Sequence, residues 1–358
     1  MECTSVLPAD LVSRISANPG TAEAQISWES SIAGYLYLAG LGAGAFIMAV
    51  VAGWLGLGLA PVRTGLIGGW AWDWSKVFVL WGPFVTAIGA SLLIFHLGRN
   101  RFLFYTAWRN PRTAWLSRGF LILSGFIVVG CLVAVVSVFL PSWPDRAPWL
   151  WRVLEAVGLV FAFGTAFYPG LDLKSMKFIP AWNAPLIPFL FLASALSTGA
   201  MGVIMGAMMY RLAVAGPASA HELARGLETM EPLLIVIEAT LLVLYLRHLK
   251  NGRPEGLVSA HMWLSGSWRY GFWGGIVGLA LALPFALDLV NLEFHSAVLS
   301  VIASASVLIG SFILWLGVLS IGIKETPPLY KFSKWRAASR GQPASGAGET
   351  MKTAHVGW

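Results

Sequence analysis

The chain alternates between long apolar runs and short polar segments that hold most of its prolines, arginines and asparagines. A helix crosses a bilayer with about 20 apolar residues. The apolar runs are about twice too long for barrel strands and lack the alternation of such strands. The pattern therefore predicts an all-α polytopic membrane protein with eight transmembrane helices. The predicted spans are 32–60, 77–97, 118–140, 151–171, 183–210, 231–249, 271–290 and 296–322.

The polar ends divide the chain into a short N-terminal tail (1–31), a transmembrane domain (32–323) and a C-terminal tail (324–358). Eight helices are expected to pair as two four-helix bundles. The first 30 residues lack the apolar core of a cleavable signal peptide, so the first span is expected to serve as the targeting signal. The polar C-terminal tail is expected to be disordered or to lie on the membrane surface.

Composition agrees with a membrane protein, since 57% of the residues are hydrophobic and only 11% are charged. Soluble domains carry about 25% charged residues. With two cysteines, the chain alone is not expected to bind an iron–sulfur cluster, which takes about four thiolates. Apart from His96, the histidines lie in loops, tails or helix ends, and no pair stands at mid-membrane depth, so no b-type haem is expected. No metal-ligand cluster and no nucleotide-binding loop is apparent.

The distribution of positive charge predicts the orientation. With eight spans both termini lie on one side, and that side would carry 18 of the 24 lysines and arginines. Both termini are therefore expected in the cytoplasm of a bacterium or archaeon, with the protein in the cytoplasmic membrane. The net charge of +7 follows from this topology, so nucleic-acid binding is not needed to explain it. Asp288, Glu293 and His295 are assigned to an outer loop, 288–296.

Small residues recur at GxxxG spacing on several spans. Gly40 and Gly44 lie on the first span, Gly202 and Gly206 on the fifth, and Gly271 with Gly275 on the seventh. Such faces allow close approach of two helix backbones. Helix packing is the commoner use of such a face, and accommodation of a flat ligand is the alternative.

Ionisable residues inside spans are costly and mark candidate sites. Glu238 lies two turns into the sixth span among leucine, isoleucine and valine. It is either a neutral carboxylic acid that joins two helices or a proton-carrying group. Glu155 and Asp172, near the two ends of the fourth span, are further candidates for proton transfer. For both, a capping role at the membrane interface is the alternative.

Tyr168 stands near the end of the fourth span in GTAFYPGLDLK (164–174). A tyrosine at that depth is most often an interfacial anchor. Pro169 and Gly170 are expected to end the helix there. The start of the first span, the end of the second and the end of the fourth face the same side. Glu29, His96 and Tyr168 are therefore expected to converge.

Three stretches resemble the NrfD/PsrC family of polysulfide-reductase-type membrane subunits. They are GYLYLAGLGAGAF (34–46), LLIFHLGRNRFLFYTAWRNPRTAWLSRGF (92–120) and IPAWNAPLIPFLFLASALSTGA (179–200). The likeness covers about 34–250, and the last two spans match in hydropathy alone. His96 and Asn100 depart from the aspartate and proline that the family usually carries at those positions.

The resemblance implies a quinone- or quinol-binding subunit of a respiratory oxidoreductase. Such a subunit binds menaquinone or ubiquinone non-covalently and exchanges electrons with a ferredoxin-like iron–sulfur subunit. That subunit in turn serves a molybdopterin-type catalytic subunit, so this chain alone is not expected to convert the terminal substrate. Tyr168 matches the family's quinone-contacting tyrosine, and Trp28 and Glu29 occupy the start of the first span.

Two other functions fit the same pattern. A secondary transporter uses intramembrane acids and glycine faces, and it would act without a redox partner. A passive anchor would hold a redox partner without binding quinone. The terminal substrate, the direction of electron flow and any proton pumping are left open by the sequence.

Overall fold

A computed structural model describes residues 23–24, 30–56, 62–63, 71–72, 74–96, 115–139, 146–214 and 224–324. Within these residues the chain is helical apart from four two-residue strands and short turns, which confirms the all-α prediction. The helices are α1 Ser30–Trp54, α2 Trp74–His96, α3 Trp115–Phe139, α4 Pro148–Ser175, α5 Ile187–Val214, α6 Glu231–Asn251, α7 Pro254–Leu264, α8 Gly271–Phe294 and α9 Ala297–Ser320.

Each predicted span corresponds to one of these helices. Seven helices of the described residues are long and apolar enough to cross a membrane. The second predicted span corresponds to α2, which has 23 residues and contains Pro83. The first helix ends at Trp54, before the predicted boundary at 60. The segment between the sixth and seventh spans contains α7, an 11-residue helix that the hydropathy pattern did not predict.

The helices pack as two four-helix bundles. In the first bundle, α1 packs on α2 and α4, and α3 packs on α2 and α4. In the second bundle, α5 packs on α6 and α9, and α8 packs mainly on α9. The bundles meet where α5 packs on α1 and α4 and where α9 packs on α1. Trp315 of α9 stacks on Phe191 of α5, with ring centroids 4.2 Å apart, and fills this junction.

Glycines allow the close helix contacts at the junction of the bundles. A side chain at Gly40 would lie 2.8 Å from the Trp315 ring, and one at Gly44 would overlap the Ala195 backbone on α5. Gly199 faces Gly44 across the same contact. At Gly40 and Gly44 the glycine face therefore serves helix packing. On the seventh span, Gly275 serves the same purpose, because a side chain there would lie 2.7 Å from Ile313.

The seventh span is longer than predicted. Its first half, Gly271–Ala282, has π-helical hydrogen bonding and continues as an α-helix over Leu283–Phe294. Asp288 and Glu293 therefore lie in helix α8, and their assignment to a loop is wrong. Asp288 is buried, whereas Glu293 is exposed. The turn after α8 is made by His295, which adopts a left-handed conformation with φ 50°.

Strand β1 (Glu23–Ala24) pairs antiparallel with β4 (Ile323–Lys324). This pairing brings the segment before α1 to the end of α9, so both lie at the same end of the helices. Strands β2 (Val62–Arg63) and β3 (Ala71–Trp72) form a second short pair between α1 and α2. The rest of the predicted N-terminal tail up to residue 29 lies outside the described residues, and so does the C-terminal tail after Lys324.

Candidate functional site

Tyr168 lies on α4, and only 4% of its surface is exposed. The helix continues through Pro169 and Gly170 to Ser175, so the prediction that these two residues end it is wrong. Gly170 is instead a packing position, because a side chain there would overlap the backbone of Pro188 at the start of α5. Tyr168 is therefore held on a continuous helix, about two turns before its end.

The Tyr168 ring rests on Gly119 of α3. A side chain at Gly119 would overlap three carbons of the ring, Cζ, Cε1 and Cε2. Glycine at this position lets the ring approach the α3 backbone. The neighbouring Ser117 is buried on the same helix. The position of the phenol is thus fixed by two helices, α3 and α4.

Two further polar side chains lie beside the Tyr168 hydroxyl. The carboxyl group of Asp172, one helical turn further along α4, is within side-chain hydrogen-bonding reach of that hydroxyl. Tyr35 of α1 is 6% exposed and interacts electrostatically with both Tyr168 and Asp172. We call Tyr35, Tyr168 and Asp172 the tyrosine site. It contains two phenols and one half-buried carboxyl group from two adjacent helices.

The other residues predicted at this end are described in part. His96 is the last residue of α2. Gly89 of α2 lies against the backbone of Tyr35, so α2 ends on the same side as the tyrosine site. Trp28 and Glu29 precede α1 and lie outside the described residues. The convergence of the first, second and fourth spans is therefore present in the helices, while the roles of Trp28, Glu29 and His96 stay predictions.

Glu155 lies at the opposite end of the first bundle. Its Oε2 atom accepts a hydrogen bond of 2.6 Å from the indole of Trp54, at the end of α1. Arg152 lies 3.9 Å from the same oxygen and also stacks over the Trp54 ring. These contacts join α1 to α4 and favour the capping alternative for Glu155. Its role in proton transfer stays a prediction.

Glu238 is 1% exposed and faces Ser194 of α5. The Ser194 hydroxyl lies near this carboxyl group, yet neither carboxyl oxygen makes a hydrogen bond of normal geometry to any of the described residues. The Ser194 hydroxyl accepts a hydrogen bond of 3.2 Å from the Trp315 indole at the junction of the bundles. Glu238 therefore lies in the second bundle, whereas Glu155, Tyr168 and Asp172 lie in the first.

The tyrosine site has donors and acceptors for a ligand with carbonyl or hydroxyl oxygens. A phenol donates one hydrogen bond and also accepts, and a carboxyl group can take up and release a proton. Donors and acceptors of this kind are what the head group of a quinone or quinol would need.

Comparison with known proteins identifies the family. The model of the family described as "Polysulphide reductase, NrfD" matches residues 19–325. The protein belongs to the NrfD family. This match includes all nine helices described above, and it confirms the resemblance drawn from three sequence stretches. It also shows that the last two spans, which resembled the family in hydropathy alone, are part of the family domain.

Three relatives of known name support the NrfD assignment. The C subunit of the polysulfide reductase of Wolinella succinogenes is 30% identical over 276 residues, which cover 74% of this chain and 83% of that protein. Protein NrfD of Escherichia coli is 28% identical, covering 73% of this chain and 83% of the relative. A protein NrfD homolog of Haemophilus influenzae is 26% identical with the same two coverages. This NrfD-family member is accordingly a multi-pass membrane protein.

Three buried polar residues were not among the predicted site residues: Tyr35 of the tyrosine site, and Glu231 and Asp288, which interact electrostatically with each other in the second bundle. Tyr35 was hidden in a glycine-rich stretch that was interpreted as a packing face. Glu231 stands at the start of its helix, where an acid is common. Asp288 was assigned to a loop. The spacing offered a signal, since Glu231 and Glu238 are seven residues apart and thus share one face of α6.

Proposed function

We propose that this protein is the quinone- or quinol-binding membrane subunit of a polysulfide-reductase-type oxidoreductase. The observation that carries the proposal is the tyrosine site: two buried phenols and a carboxyl group at one end of the first bundle, with Tyr168 held on Gly119. Membership of the NrfD family supports the proposal.

Tyr168 would hold the head group of the quinone by donating a hydrogen bond to a carbonyl oxygen. Tyr35 would provide a second donor from α1, and Asp172 would hold or release a proton next to Tyr168. The quinone, when bound, supplies two-electron chemistry coupled to two protons. The phenols supply binding and orientation, and the rigid backing by α3 keeps the Tyr168 hydroxyl in a fixed place.

The electron partner would be an iron–sulfur subunit docked at the end of the helices that holds the tyrosine site. That subunit would serve a molybdopterin-type catalytic subunit. The name of the Wolinella relative describes one component of a polysulfide reductase, which supports an assembly of several subunits. Glu238 would carry a proton in the second bundle. The charge distribution would place the tyrosine site and the docked partner on the cytoplasmic side of the membrane.

The change Tyr168→Phe tests the proposal. It removes one hydroxyl and keeps the ring against Gly119, so assembly should persist while the KM for quinol rises. A hydrogen bond to an uncharged group contributes about 1 kcal/mol, which corresponds to roughly a fivefold change. Steady-state kinetics of the purified complex with quinol measure this change in KM. Unchanged quinol kinetics would remove Tyr168 from the site.

Tyr37→Phe is the matched control. Tyr37 lies two residues from Tyr35, but its hydroxyl donates a 2.8 Å hydrogen bond to the carbonyl of Leu308 on α9. This change also removes one phenol hydroxyl from α1, and quinol kinetics should stay as in the wild type.

Purification in mild detergent tests the proposed electron partner: an iron–sulfur subunit should copurify with the protein. Its absence, together with substrate uptake by the isolated protein, would favour the transporter alternative.

A further inference from the structure

Four acidic residues form a continuous group in the second bundle. Glu231 is fully buried and interacts electrostatically with Asp288 of α8 and with Glu238 two turns along α6. Asp288 in turn interacts with Glu228. We call Glu228, Asp288, Glu231 and Glu238 the acidic series. It is separate from the tyrosine site, which lies in the other bundle.

The acidic series has an outer and an inner end. Glu228 is half-buried and lies near the start of the span Ala224–Asn251. It accepts hydrogen bonds from the hydroxyl of Ser300 and, at 3.5 Å, from the amide of Asn291. Glu231, Asp288 and Glu238 are each at most 3% exposed. The acids thus run from the membrane edge into the bundle interior.

Serines of α5 face the two inner acids. The Ser197 hydroxyl donates a 2.5 Å hydrogen bond to Oε1 of Glu231, and Ser194, one turn away, faces Glu238. The separation between Glu231 and Glu238 along the helix is about 10 Å. Two hydroxyls lie within that interval. A hydroxyl can donate and accept a hydrogen bond at the same time, which is what a proton relay requires.

Several carboxyl oxygens of the acidic series have no hydrogen-bond partner among the residues that the structure describes. They are Oε2 of Glu231, Oδ2 of Asp288 and both carboxyl oxygens of Glu238, all deeply buried. An ionised and unpaired carboxylate in a protein interior costs several kcal/mol. Three such charges interacting with one another in the same interior would add mutual repulsion. The acidic series therefore requires a bound proton or cation at these unpartnered oxygens.

The acidic series ends at Glu238. The buried positions of α6 beyond it are Leu242, Tyr245 and Leu249. The Tyr245 hydroxyl donates a 2.8 Å hydrogen bond to the carbonyl of Ala181, between α4 and α5, so that end of α6 is on the same side as the tyrosine site. Glu228 is then on the opposite side. The series opens to one face of the membrane and is closed toward the other by apolar and aromatic packing.

We propose that the acidic series is a one-sided proton path, leading from the membrane face opposite the tyrosine site to Glu238. The groups that face it are Ser194 and Ser197 of α5, Asn291 of α8 and Ser300 of α9. Protons would pass from Glu228 to Asp288 and Glu231, and then along the two serines to Glu238. This inference extends the proposed role of Glu238, and its test does not depend on quinone binding.

The experiment uses the purified complex in liposomes, inserted in one known orientation. A hydrophobic carbodiimide reacts with protonated carboxyl groups in apolar surroundings, and mass spectrometry measures the labelling of Glu238. The pH is changed on one face of the liposomes at a time. We expect the labelling rate to change several-fold with the pH on the Glu228 face and to stay constant with the pH on the other face.

Two variants and a sodium control test whether the pH response of Glu238 passes through the acidic series. Asp288→Asn should slow the response of Glu238 to pH on the Glu228 face several-fold. Glu293→Gln removes an exposed acid from the same helix end and should leave the response unchanged. Labelling that follows the pH of the tyrosine-site face, follows both faces equally or never occurs would overturn the proposal. Protection by sodium ions at constant pH would also overturn it, in favour of a sodium site.

The outcome can be separated from that of the quinone assignment. Tyr168→Phe should leave the sided labelling of Glu238 intact. If quinol kinetics prove independent of Tyr168 while the labelling remains sided, the quinone site is wrong and the proton path stands. If quinol kinetics depend on Tyr168 but the labelling of Glu238 is not sided, the proton path is wrong and the quinone site stands.

Discussion

Gly119→Ala is the most direct structural perturbation of the tyrosine site, since it adds one methyl group beneath the Tyr168 ring. That methyl carbon would overlap Cζ, Cε1 and Cε2 of the ring. Non-bonded carbons pack at about 3.5 Å or more, so the ring and its hydroxyl must move by more than about 1 Å. The clash involves a buried ring held between two helices, which leaves little room for local adjustment.

Two effects of this substitution have separate magnitudes. Overpacking of a buried contact costs about 1–3 kcal/mol in stability. A displacement of about 1 Å at a reacting or binding group can lower turnover by about 100-fold. We therefore expect quinol oxidation or quinone reduction by the complex to fall by one to two orders of magnitude, with a lower midpoint of thermal unfolding in detergent. Steady-state kinetics and a thermal-shift measurement on one preparation give both numbers.

Gly34→Ala is the control, because it makes the same change next to Tyr35, where an added side chain meets no atom of the described residues within 4 Å. It should leave kinetics and stability unchanged. A double-mutant cycle with Tyr168→Ala tests the cause, because the stability cost of Gly119→Ala should shrink once the ring is absent. Wild-type kinetics in Gly119→Ala, or an equal cost in both backgrounds, would refute the packing argument.

Two further predictions concern α1. Tyr35→Phe should raise the KM for quinol by a smaller factor than Tyr168→Phe, because Tyr35 interacts with the Tyr168–Asp172 pair from the neighbouring helix. Steady-state quinol kinetics measure this KM. An unchanged KM in Tyr35→Phe would restrict the site to α4. Gly44→Ala should separate the bundles at the α1–α5 contact and cost about 1–3 kcal/mol in stability, because a side chain there overlaps the Ala195 backbone. Gly53→Ala on the same helix is the control, since a side chain there meets no atom within 4 Å in the described part of the chain. Equal unfolding midpoints for the two variants would contradict the packing assignment.

Hydropathy predicted the fold well because each span must be long, apolar and helical in lipid. It also placed the ends of the first, second and fourth spans on one side, which α1, α2 and α4 bear out. The ends of the helices were harder to predict from the sequence. Pro169 and Gly170 have the composition of a helix terminus, yet the packing of Gly170 on Pro188 lets α4 continue.

The sites could be predicted only in part, because they depend on contacts between distant residues. Tyr168 and Asp172 are one turn apart, so the sequence brings them together. Tyr35 joins them only through the packing of α1 on α4. The acidic series likewise needs α8 to bring Asp288 to Glu231. Loop-like composition around Asp288 concealed its place in a helix that begins with π-helical hydrogen bonding.

The central claim, quinone binding at the tyrosine site, is tested most directly by photolabelling. A quinone analogue with a photoreactive group on its ring is added to the purified complex, and the labelled peptides are identified by mass spectrometry. Labelling should occur in the peptides that contain Tyr35, Gly119 or Tyr168 and should disappear with excess natural quinone. Labelling confined to α6, α8 or α9, or labelling that excess quinone does not reduce, would contradict the account.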